Sequence, residues 1–242
     1  MHQYQILGDH SEFVGLIFPG GWEEFFRFIG EKYTGPLWPM HDDRNFFKVL
    51  LPKLKAAAEQ FDMVAQPHIK PFDPQPWQIS DGVLPNGKEP YFLKHAKGPA
   101  YLVEGTVVRP LITAEQSGGN FTIGSVESSG MHRSALFEPS KSIRFDVHHA
   151  FQVVEGTVRF NVETEQSDLT QWETLFVPAG KSFSFRTVGR ASKLYSFSSG
   201  GGLVELLCKL GQAYSQPILP ETELPCRLDA MDYSQELRFV MI

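Results

Sequence analysis

The stretch HHAFQVVEGTVRF, residues 148–160, decides the fold class. Its apolar side chains recur at alternate positions and are mostly Val and Phe, the pattern of a strand with one buried face, and Glu155-Gly156 interrupts it. A second stretch, TLFVPAGKSFSF over 174–185, repeats this arrangement around Pro178-Ala179-Gly180. Working outward, YLVEGTVV (101–108), FTIGSV (121–126), SIRFDV (142–147) and KLYSF (193–197) read as further short strands separated by turn residues. So many short strands at close spacing specify an all-β barrel or jelly roll, complete over 99–242 with a C-terminal tail.

The barrel sequence also echoes upstream. Residues 2–33 reappear without gaps at 183–214, a constant offset of 181. Gly8 falls on Gly189, Ser11 on Ser192, Gly20 and Gly21 on Gly201 and Gly202, Glu24 on Glu205, Gly30 on Gly211 and Tyr33 on Tyr214. The shared order is strand, turn, strand, Gly-rich turn, helix, so two copies of one architecture are expected, the first without its front half. Strands are expected through about Phe18, then a helix from Trp22, with Trp22, Phe25, Phe26 and Ile29 at helical spacing. A second helix is expected over 41–62, capped by Asp42 or Asp43, with Phe46, Phe47, Leu50, Leu51 and Leu54 as its apolar stripe and Pro52 inside it. The run QPHIKPFDPQPW (66–77) has four prolines and reads as a stiff connector. The organisation is therefore a partial first barrel with a helical segment over 1–64, a Pro-rich connector over 65–98, and the complete barrel over 99–242.

Composition narrows the partners. The chain has 242 residues, 42% of them hydrophobic, and 22 basic against 28 acidic side chains give a net charge of −6 with no basic stripe. Nucleic acid is excluded as a partner on that count, and a membrane on the lack of any long apolar run. The first ten residues lack the basic start and apolar run of a signal peptide, so the cytoplasm is the default location, and secretion follows only if the natural start lies upstream. Asn120-Phe121-Thr122 is a formal glycosylation sequon. Cys208 and Cys226 read as two thiols rather than a disulfide.

The paired stretches 148–160 and 174–185 resemble the two motifs of the cupin superfamily. In a cupin the first motif supplies two His and a Glu, the second a last His, and together they hold a metal inside the barrel. Here Val154-Glu155-Gly156 and Pro178-Ala179-Gly180 match, but His148 and His149 are adjacent, His149 stands at the Glu position, Phe183 stands at the last His, and Trp172 replaces a frequent Gly. Neighbouring strand residues face opposite ways, so the two histidines do not converge on one metal. More narrowly, Asp146-Val147-His148-His149, Pro178-Ala179-Gly180 without a following His, and the segment HQYQI through PGGWEEFF resemble the fungal bicupin quercetin dioxygenases, over their last two thirds.

That resemblance implies two cupin barrels joined by a helical linker, copper or another divalent transition metal in the first barrel, and dioxygen-dependent opening of a flavonol ring with loss of carbon monoxide. It places His2 at the one remaining metal-ligand position, and Tyr4, Phe13, Ile17, Trp22 and Phe26 along the flavonol pocket. From the residues alone these aromatics serve equally as core packing, while His10, His41, His68 and His132 read as solvated. No cofactor site is evident in the chain itself. Three functions stay open: a dioxygenase acting on a flavonol or related phenolic; a metal-independent cupin that binds, isomerises or cyclises a small aromatic molecule; and a non-catalytic scaffold. A half-barrel leaves strand edges and apolar faces to cover, which implies a homo-oligomer through that opening.

Overall fold

In the computed structural model the described residues are 7–8, 11–35, 41, 43–61, 63–64, 66, 68–69, 73, 75–132, 141–221 and 234–242. They divide into two compact units, Met1–Gln75 and Pro76–Ile242.

The first unit contains α1 (Trp22–Ile29) and α2 (Phe46–Gln60). Glu23 and Glu24 lie in the first turn of α1, where the helix dipole favours negative charge, and the Gly30 amide donates to Phe26 O at 2.8 Å to close its end. The cap of α2 is Asn45, whose side chain accepts the Lys48 N–H at 3.1 Å, so this helix starts later than the aspartates suggest. Phe25 is buried, stacked on Trp22 at a 4.5 Å centroid distance and 5.8 Å from Phe61 beyond α2, while Lys53 Nζ donates to Ile29 O at 3.1 Å. Among the described residues this unit has no strand, and the alternating residues 11–18 are irregular. Alternation permits a strand, but β-structure exists only as a hydrogen-bonded ladder, and the described residues around 11–18 offer none.

The second unit begins inside the expected connector. A 3-10 turn at Ile79–Gly82 is tied back by Gly98 N–H to Gly82 O at 3.0 Å, Gln116 Nε2 donates to Pro85 O at 2.6 Å, and Tyr91 OH donates to Leu111 O. Residues 76–98 are thus bonded onto the barrel and are no free linker. The strands are β1 (Tyr101–Val103), β2 (Thr106–Ile112), β3 (Thr122–Ser128), β4 (Ile143–Phe145), β5 (His149–Val162), β6 (Glu165–Leu169), β7 (Thr174–Val177), β8 (Ser182–Ser198), β9 (Gln212–Ala213) and β10 (Phe239–Met241). Helix α3 (Leu203–Leu210) follows β8, and α4 (Ser234–Leu237) precedes β10. What reads as one strand over 101–108 is two, because Glu104 and Gly105 take φ 47° and 84° and make a two-residue hairpin with Val103 opposite Thr106.

All pairing is antiparallel, in the order β10-β4-β8-β3-β2-β1-β9, with β5 joined to β6, β7 and β8. This is the all-β cupin jelly roll, built on two long strands: β5 runs against β8 from His149 opposite Ser198 to Val162 opposite Phe183. Bulges between Val153 and Thr157 let the pair bend around the barrel. Gly156 makes the bend, with φ 73° and a backbone so near β8 that a Cβ would stand 2.3 Å from Ala191 O. Trp172 keeps a left-handed φ of 70°, the conformation a glycine takes without strain, and its amide donates to Val153 O at 2.7 Å.

Alternate residues of β5 and β8 point inward, and the barrel interior fills with rings. Phe145, Phe151, Phe160, Phe183 and Phe185 are each at most 3% exposed, and Phe151 has Phe160, Phe183 and Phe185 at 5.1, 5.2 and 6.3 Å between centroids. Helix α3 closes this core with Leu203, Leu206, Leu207 and Leu210. At the offset of the internal repeat α1 maps onto α3 residue for residue, and the Gly211 amide donates to Leu207 O at 2.9 Å as Gly30 does to Phe26 O. Burial separates the copies: Phe26 of α1 is 54% exposed, whereas its counterpart Leu207 is fully buried. No helix among the described residues is long and apolar enough to cross a membrane. Truncating the ring at the centre of the core, Phe151→Ala, is expected to cost about 3–5 kcal/mol, read as a lower urea midpoint at unchanged m-value.

Candidate functional site

The two motif positions of the barrel meet in its interior. His149, 2% exposed, begins β5, and its ring lies 5.4 Å from that of Phe183 and 4.8 Å from that of Phe145, and stacks on Phe151 at 5.7 Å. Its Nε2 accepts the Leu203 N–H at 3.1 Å, at the first turn of α3, and the ring also hydrogen-bonds the Val147 backbone. With Nε2 as acceptor, the ring carries its proton on Nδ1. The approach needs a glycine before Leu203, since a Cβ on Gly202 would lie 2.5 Å from Nε2. Burial, with a smaller contribution from neighbouring His148, lowers the pKa of His149 to about 4 and keeps it neutral.

His148 turns the other way. It is exposed, its Nδ1 accepts the Ala179 N–H at 3.1 Å, and its ring stacks on Phe176 at 5.6 Å. The expectation that the two histidines face opposite sides therefore holds.

In the first unit, His2 and Tyr4 lie outside the described residues. Phe13 and Ile17 stand in irregular chain, 71% and 40% exposed, not on a shared strand face. Trp22 and Phe26 do share a helix face, half-buried and exposed, with ring centroids 6.3 Å apart edge to face. The residue that anchors this face is Phe25, which the helical spacing marks but the pocket expectation omits. His132 is not simply solvated, because its Nε2 hydrogen-bonds Pro220 O at 2.7 Å. Cys208 is a free thiol whose pKa burial, aided by Glu205, pushes up to about 12, and Cys226 lies outside the described residues.

No family model matches the chain. It is 27% identical over 239 residues to quercetin 2,3-dioxygenase from Aspergillus japonicus, covering 90% of this chain and 67% of that protein. It is 26% identical over 131 residues to quercetin 2,3-dioxygenase from Bacillus subtilis, 54% of this chain and 37% of that one. The chain is a quercetinase-like cupin. Among solved structures, the cupin domain of Cnp3 from Schizosaccharomyces pombe aligns over 40% of this chain and 66% of its own, at 17% identity and TM-score 0.32.

The barrel of this quercetinase-like cupin does not fit a metal at these positions. At its motif positions stand an imidazole whose free lone pair already holds an amide and a phenyl ring that offers no donor, whereas a metal site needs about three protein ligands. Among the described residues no three His, Cys, Asp or Glu side chains cluster so as to hold an ion. Among the described residues the barrel interior is taken up by its own rings. His149 has become the acceptor that fixes α3 to β5.

The depressed pKa makes this bond pH-dependent. In the unfolded chain His149 takes up a proton below its ordinary 6.5, while in the folded barrel it stays neutral down to about 4. Its contribution is therefore complete above about pH 6.5 and is lost as pH falls from there toward 4, on the order of 3 kcal/mol in all. His149→Gln, whose amide oxygen can still accept the Leu203 N–H, is expected to flatten this part of the slope, measured by urea unfolding at pH about 7 and about 4.5.

Proposed function

We propose that this protein takes part in dioxygen-dependent opening of a flavonol or related planar phenolic, and that its first unit supplies aromatic wall for that substrate. The observation that carries the reading is the 27% identity to a quercetin 2,3-dioxygenase along 90% of the chain, which spans the first unit as well as the barrel. Trp22 and Phe26 support it physically. They present an open, edge-to-face aromatic surface above the buried Phe25, and flat phenolic rings gain by stacking on such a surface. His2 is proposed as a metal-ligand position by the same likeness. In this reading the barrel acts as a packed support and takes no chemical step.

Two measurements test this. Titrating quercetin into the full chain and following tryptophan fluorescence is expected to give saturable binding, weakened about tenfold, ~1.4 kcal/mol, by Trp22→Ala or Phe26→Ala. Unchanged affinity in both variants would remove the first unit from the substrate site. Dioxygen uptake with quercetin and added copper(II), iron(II) or nickel(II) tests the chemistry separately. Uptake that needs both flavonol and metal supports ring opening, and no uptake with any of the three sinks it for this chain.

A further inference from the structure

The chain holds four asparagines, and their surroundings differ. The Asn45 side chain accepts the Lys48 N–H at 3.1 Å, Asn120 Nδ2 donates to Ser117 O at 2.8 Å, and Asn161 Nδ2 donates to Ser184 Oγ at 3.2 Å. Phe46, Phe121 and Val162 follow these three, so a bulky side chain crowds each next amide. Asn86 has neither restraint. It is exposed, Gly87 follows it, and among the described residues neither its side chain nor the Gly87 N–H has a hydrogen-bond partner.

The loop around Asn86 is held at its ends and free between them. Gln116 Nε2 donates to Pro85 O at 2.6 Å on one side, and Tyr91 OH donates to Leu111 O on the other. Residues 86–90 are all exposed and belong to no helix or strand. A Cβ built on Gly87 would meet only Glu89 N, at 3.8 Å, so nothing crowds this peptide. Such a segment samples other backbone angles without opening the barrel. Because Gly87 has no Cβ, the Asn86 ψ can turn until the Gly87 nitrogen faces Asn86 Cγ.

We propose that Asn86-Gly87 is a site of spontaneous covalent modification, with water as the reagent, at which Asn86 becomes isoaspartate. Base takes the proton of the Gly87 amide, and the nitrogen attacks Asn86 Cγ. The Cγ–Nδ2 bond breaks and ammonia leaves, which closes a five-membered succinimide. Water then opens that ring at either of its two carbonyls. Attack at Cγ breaks the bond from Cγ to the Gly87 nitrogen and leaves aspartate. Attack at the backbone carbonyl breaks its bond to the same nitrogen and leaves isoaspartate, whose main chain runs through Cβ and Cγ. In either case water enters, ammonia departs, and nothing is oxidised or reduced. The product carries a new carboxylate two residues before Lys88. Its longer main chain lies between the anchors at Pro85 and Tyr91, so the loop takes up the change and the barrel core does not. This inference does not rest on flavonol cleavage.

The test is timed incubation of the full chain at mildly alkaline pH, in ordinary and in heavy-oxygen water, then digestion at mildly acidic pH and peptide mass spectrometry. The peptide carrying Asn86 is expected to gain the mass that separates a hydroxyl from an amino group and to take its new oxygen from solvent. It is expected to resolve into two chromatographic products, with isoaspartate in excess. Conversion is expected to run at least about tenfold faster than at Asn45, Asn120 or Asn161, and at least about tenfold faster than in Gly87→Val, whose branched side chain hinders the approach. The comparison among the four asparagines uses the unaltered chain, so it decides the matter if Gly87→Val folds poorly. Conversion of Asn86 no faster than that of the other three, aspartate without isoaspartate, or a rate unchanged by Gly87→Val overturns the proposal.

Discussion

The long ladder between β5 and β8 is the constraint on which the second unit depends. These two strands pair from His149 opposite Ser198 to Val162 opposite Phe183, and every other strand of the barrel is reached through one of them or through β3. Because the ladder bends at Gly156, one pair of strands can serve both walls, and their inward residues face each other across a short interior. The side-chain period then does the rest. Phe151, Phe160, Phe183 and Phe185 are brought together from positions far apart in the chain only because the register admits no slip.

The same register accounts for the chemistry of the interior. It sets His149 beside Phe183, the two positions that the resemblance to the cupin motifs assigns to ligands. A buried imidazole at this depth stays neutral and gives its one acceptor to an amide.

How far the sequence disclosed this depends on the distance over which each feature is decided. The strands of the barrel were legible because alternation and turn residues are local, and the adjacency of His148 and His149 already implied opposite faces. The Glu104-Gly105 hairpin was missed because a single Gly among strand-forming residues is a weak break, and only the φ angles reveal it. Residues 11–18 alternate as well as any true strand, but alternation cannot supply the partner that a ladder requires. The acceptor role of His149 is set by Leu203, 54 residues away, so it had no local signature.

The repeated helix places one sequence pattern under two regimes of cooperativity. Eight residues are too few to hold a helix in water by themselves, so each copy borrows its order from what it touches. Helix α3 borrows from the barrel core and can open only when that core does, which ties it to global unfolding. Helix α1 borrows from Phe61 and the side chain of Lys53, a much smaller contact, and so opens locally at little free-energy cost. Kinship in sequence therefore does not carry over to stability: of two helices with the same frame and the same closing glycine, one is held by the barrel core and the other by a single neighbouring helix.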